Sequence, residues 1–119
     1  MTDSVSGDHK WYGENRLRLE NSSTITDLTV TITIVKTKGL SYYDQYTNFW
    51  NGAIQSEHET ANGVVTYTFA LKNNKTIVAG SWDIVAQTDG NGTLHPTSGD
   101  RWTVTSTSGG KTRTLSGWF

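Results

Sequence analysis

The sequence contains no cysteine, so no disulfide framework braces the fold, and the redox compartment leaves no mark in thiols. It has a single proline, Pro96, and a formal net charge of −1. A near-neutral balance argues against a surface built for nucleic acid or for an anionic membrane. No apolar run approaches the length that crosses a bilayer as a helix. No stretch of useful length has helical periodicity, and no internal repeat is present. The polar start, Met1 to Lys10, lacks the apolar core of a signal peptide and reads as a flexible linker or junction remnant. Residues 11–119 then suit one domain, long enough to bury a core of its own.

What is abundant is threonine, with twenty residues, and aromatic side chains, with five Trp, five Tyr and three Phe. Both classes favour pleated, half-buried surfaces. Five Trp exceed what a core of this size needs. Some are expected at the surface, where exposed aromatics usually serve binding.

Period-2 alternation marks the strands. Leu17 and Leu19 alternate with Arg16, Arg18 and Glu20. Leu28, Val30, Ile32 and Ile34 alternate with Thr29, Thr31 and Thr33, the clearest strand of the chain. Asn62-Gly63 between two strand-like runs is a strong hairpin signal. It pairs Ala61 with Val64 and places His58 opposite Tyr67, on the side expected to be buried. Gln55, Glu57 and Glu59 then face outward. Trp82 to Thr88 predicts another strand, with Trp82, Ile84 and Ala86 on one face and Asp83, Val85 and Gln87 on the other. Gly109-Gly110 turns a last hairpin, pairing Val104 with Leu115 and Trp102 with Gly117 on an apolar side. Arg101 faces Trp118 on the polar side, in reach of a cation–π contact. Two segments, Thr37 to Asn51 and Asp89 to Asp100, read as long loops, the first rich in aromatics. Seven or eight short strands with such turns predict an all-β, antiparallel β-sandwich, jelly-roll or immunoglobulin-like.

Sugar rings present C–H faces that stack on aromatic side chains, while neighbouring polar groups bond the hydroxyls. On that chemistry the binding candidates are Trp118, Trp50, Trp82 and Trp102, with Tyr43 and Tyr46 beside them. Gln87 and Arg101 are hydroxyl partners. Trp118 leads by parity and Trp50 by its aromatic loop. Trp82 and Trp102 share the apolar parity of their strands, which equally suits a core position, and Trp11 has the parity of Leu17 and Leu19. Glu57 and Glu59 share a strand face, loosely compatible with a glycosidase pair. An exposed sheet offers nothing to raise a carboxyl pKa, so they read as solvated and no catalysis is expected. Asp100, Asp89 and Asn91 bracket a Gly-rich loop and could offer oxygen ligands to a structural calcium ion, although turn formation explains them as well.

The run Arg16-Leu-Arg-Leu-Glu-Asn followed by Asp27-Leu-Thr-Val-Thr-Ile-Thr-Ile resembles the opening strands of bacterial cellulose-binding modules. So do Ala79-Gly-Ser-Trp-Asp-Ile-Val-Ala-Gln, Asp100-Arg-Trp-Thr-Val-Thr and the closing Ser116-Gly-Trp-Phe. The pattern is most similar to carbohydrate-binding module family 81, and more broadly to families 3 and 2. The Asp-Trp and Tyr loop of family 3 and the paired cysteines of family 2 are absent. The resemblance implies a secreted, non-catalytic β-sandwich that binds β-glucans such as cellulose, cello-oligosaccharides and xyloglucan. It also implies a covalently tethered glycoside hydrolase, and Asp100 resembles an acidic position near a family 3 calcium site. The residues alone leave a structural or adhesive sandwich open as the alternative.

Overall fold

The computed structural model describes residues 2–6, 12–36, 39–49, 53–90 and 99–119. Nine antiparallel strands and no helix occur among them. The strands are β1 (Thr2–Ser6), β2 (Tyr12–Asn21), β3 (Asp27–Val35), β4 (Ser41–Thr47), β5 (Ile54–Ala61), β6 (Val64–Leu71), β7 (Gly80–Asp89), β8 (Arg101–Ser108) and β9 (Lys111–Trp118). They form a four-stranded sheet in the order β1-β2-β7-β4 and a five-stranded sheet in the order β5-β6-β3-β8-β9. The two face one another as the sandwich that the strand count predicts.

Between the sheets lies one apolar cluster. Leu17, Ile84 and Ala86 come from the smaller sheet, and Val30, Ile32, Ile34, Val65, Tyr67, Phe69 and Val104 from the larger. Alternation produces this directly: in β3 every second residue is buried and the intervening threonines face outward. Tyr67 is buried whole, and its hydroxyl is satisfied by donating to the Gln87 carbonyl at 2.6 Å, a bond that ties the two sheets together.

Both hairpins have the expected registers. Asn62 and Gly63 take positive φ values of 53° and 74°, and Gly109 and Gly110 take 58° and 76°, as two-residue turns that match strand twist require. Ala61 pairs with Val64 and His58 with Tyr67; Val104 pairs with Leu115 and Trp102 with Gly117. Gly117 is needed where it stands. A Cβ there would lie 2.6 Å from the Trp102 indole.

Four expectations differ from the structure. The aromatic segment 37–51 is not wholly a loop: Ser41–Thr47 pair with β7, and a bulge between Tyr42 and Asp44 hides the alternation. Thr2–Ser6, inside the segment that composition marks as linker, pair along β2. His58 and Ser56 have inward parity yet are exposed, because β5 is an edge strand. Leu115, on the apolar side of the last hairpin, is 50% exposed for the same reason on β9.

Candidate functional site

The outer face of the four-stranded sheet gathers residues from three strands. Tyr12, Glu14, Arg16 and Arg18 project from β2. Their pairing partners Gln87, Val85 and Asp83 project from β7, and Asp44 and Tyr46 from β4. The bulge adds one residue to β4, which lets Tyr43 join Tyr46 on this face although they are three apart. Tyr43 meets Tyr12 edge-on at 5.8 Å between ring centroids.

These side chains hold one another. The Arg16 guanidinium sits 3.1 Å from Asp83 Oδ2 and 3.5 Å from Glu14 Oε1, and donates to the Tyr46 hydroxyl at 3.0 Å. Arg18 joins the far side of the Asp83 carboxylate at 3.4 Å. Gln87 Nε2 donates to Glu14 Oε2 at 3.1 Å and also to the Tyr12 hydroxyl, which donates in turn to Glu14. Val85 lies between Arg16 and Tyr46 in the register, and their hydrogen bond crosses β7 above it. That explains how an outward-facing valine comes to be fully buried. Burial and the Glu14 carboxylate push the Tyr12 phenol up to about 12, so it stays a neutral hydroxyl through the ordinary pH range.

The result is a sheet face with two exposed tyrosine rings, Tyr43 at 53% and Tyr46 at 42%, beside a cross-linked set of donors and acceptors. Rigid rings flanked by pre-oriented polar groups can stack on a sugar face and bond its hydroxyls with little loss of side-chain freedom. The carboxylates are engaged by guanidinium and amide groups.

Of the residues named from the sequence, Tyr43, Tyr46 and Gln87 come together on this face. Trp118 and Arg101 do not join them. They lie on the outer face of the opposite sheet, where the guanidinium carbon stands 4.5 Å from the indole centroid and Trp118 remains 57% exposed. Trp102 is a correction: it is 8% exposed in the core and offers no ring to a ligand. Trp82 is half-buried, stacked on Phe49 at 5.3 Å, and its Nε1–H donates to Asn21 Oδ1 at 3.0 Å. Trp50 and Asn91 lie outside the described residues, as does Trp11.

Asp100 is fully buried. Its Oδ2 accepts from the Asn15 amide at 3.0 Å and its Oδ1 from the Val35 backbone N–H at 3.1 Å. Both oxygens face N–H donors, so the carboxylate serves as an internal anchor of β2 and β3, and the described residues do not fit a calcium cage built on it. Asp89 ends β7, half-buried. Among the described residues no three His, Cys, Asp or Glu side chains converge as metal ligands. Glu57 and Glu59 are exposed on the β5 edge.

Sequence reasoning missed Tyr12, Glu14 and Arg16 as site residues. The available signal was their shared parity on β2, opposite Leu17 and Leu19. No family model matches the chain, and no curated protein matches it. The fold is a sandwich compatible with carbohydrate-binding modules in general, and its exposed aromatics suit such a surface.

Proposed function

We propose that this chain is a non-catalytic carbohydrate-binding module that holds a β-glucan on the outer face of its four-stranded sheet. Tyr43 and Tyr46 stack on sugar rings, while Arg16, Glu14, Asp83 and Gln87 bond hydroxyls. The observation that carries this reading is the meeting of exposed tyrosine rings with a pre-oriented Glu14–Arg16–Asp83–Gln87 network on one sheet face. Cellulose, cello-oligosaccharides and xyloglucan are the proposed ligands. A secreted glycoside hydrolase tethered to the module is the proposed setting, in which binding raises the enzyme's local concentration on its substrate. Calcium has no part in the proposed binding.

The test is a screen of the isolated chain by depletion onto insoluble cellulose and by retardation in gels containing xyloglucan, mixed-linkage glucan, xylan or mannan, with and without chelator. Retention on a β-glucan, indifferent to chelator, is expected. Absence of retention on every β-glucan overturns the proposal, and partner binding that polysaccharide leaves untouched favours an adhesive domain instead.

A further inference from the structure

The Trp118 corner lies on the opposite side of the sandwich from the tyrosine face, and its surroundings are built differently. In the five-stranded sheet, Trp118 pairs with Arg101, Arg101 with Thr33 and Thr33 with Thr66, which faces Glu59 on the β5 edge. The adjacent row runs Ser116, Thr103, Thr31, Thr68 and Glu57. At about 4.8 Å between strands, each row spans roughly 19 Å, the length of several sugar rings. Between Arg101 and the acidic β5 edge these rows carry hydroxyls and no charge.

The hydroxyls are not all alike. Away from the indole, Thr105 bonds Thr114 at 3.2 Å and Thr107 bonds Thr112 at 2.8 Å, so those pairs satisfy each other across the hairpin. Along the two rows that lead away from the indole, the hydroxyls of Ser116, Thr103, Thr33, Thr31, Thr66 and Thr68 make no hydrogen bond to the protein among the described residues. Unpaired donors and acceptors therefore line the rows that start at Trp118, the most exposed of the described aromatic rings. Arg101 covers the ring at 4.5 Å, restrains it, and keeps guanidinium protons within reach of a hydroxyl bound alongside. A restrained indole next to unpaired hydroxyls on an uncharged strip suits a neutral, hydroxyl-rich chain, whereas an anionic one would meet Glu57 and Glu59 at the far edge.

We infer that the module is bivalent: the outer face of the five-stranded sheet, centred on Trp118 and Arg101, holds a second neutral polysaccharide chain independently of the tyrosine face. This inference rests on the carbohydrate-binding reading above and adds a consequence to it. Two sites on opposite sides of one rigid sandwich cannot grip the same short stretch of chain. They join separate chains, and a bivalent module cross-links a soluble polysaccharide.

The experiment uses cello-oligosaccharide in titration calorimetry and xyloglucan in light scattering. The wild-type chain is expected to bind two oligosaccharides and to raise the scattering of xyloglucan at intermediate protein ratios, with a fall at excess protein. Trp118→Ala is expected to bind one oligosaccharide and to lose the rise in scattering, and a Tyr43→Ala, Tyr46→Ala double variant to do the same through the other face. One oligosaccharide per wild-type molecule overturns bivalency while leaving the tyrosine face intact. A Trp118→Ala variant that still binds two and still cross-links also overturns it. Complete absence of oligosaccharide and xyloglucan binding overturns both proposals.

Discussion

The two outer faces of this sandwich obey the same alternation and have been put to different uses. On the four-stranded sheet, tyrosines, arginines and carboxylates interlock until even the outward Val85 is sealed from water. On the five-stranded sheet, threonines stand in rows and one Trp–Arg pair marks a corner. The first face fixes its side chains before any ligand arrives. The second leaves hydroxyls unpaired beside a single restrained ring. Pre-orientation favours selective recognition of one chain, while open hydroxyl rows favour a looser contact.

Removing the guanidinium that binds the first face together should show this contrast most strongly. Arg16→Ala leaves the half-buried Glu14 carboxylate without its cation, leaves Asp83 with Arg18 alone, and uncovers Val85. A loss of about 1–3 kcal/mol is expected in denaturant unfolding, together with weakened glucan binding. The matched change on the other face, Thr105→Val, removes one exposed cross-strand hydroxyl pair and should stay within about 0.5 kcal/mol. Equal costs at both positions would show that the interlocked network adds nothing to the first face.

Alkali offers a graded test. The Tyr12 phenol holds its proton up to about 12, against 10.0 when unperturbed, and Tyr42 and Tyr67 are pushed up as well, chiefly by burial. The folded state thus keeps protons that the unfolded chain gives up. This stability is fully present below pH 10 and is lost as the pH climbs through about 12. Unfolding midpoints taken at stepped alkaline pH should fall over that window, and Tyr12→Phe should make the fall shallower. A flat profile would mean that neither burial nor Glu14 holds the proton on this phenol.

The hairpin registers were legible in the sequence because two-residue turns fix pairing by local chemistry, and parity follows without further information. Parity assigns a side chain to the inner or outer face of its own sheet, but it does not say to which sheet a strand belongs. Tyr46 and Trp118 therefore looked like parts of one platform, although they stand on opposite sides. The bulge at Tyr43 removed the alternation that would have marked β4. Edge position, which exposes His58 and Leu115 despite inward parity, is likewise a property of the assembled sheets. The anchoring role of Asp100 left no local signal, because its partners are remote: Asn15 is 85 residues away and Val35 is 65.

The most direct test of a tyrosine-faced binding site is gel retardation by the β-glucan that retains the wild-type chain, comparing Tyr46→Ala with the wild type at matched protein. A loss of at least about tenfold in affinity, read at a temperature where both proteins are fully folded, is the expected result, since a ring that stacks on a sugar contributes on the order of 1.4 kcal/mol or more. Retardation of Tyr46→Ala indistinguishable from wild type would contradict the assignment of binding to the four-stranded sheet.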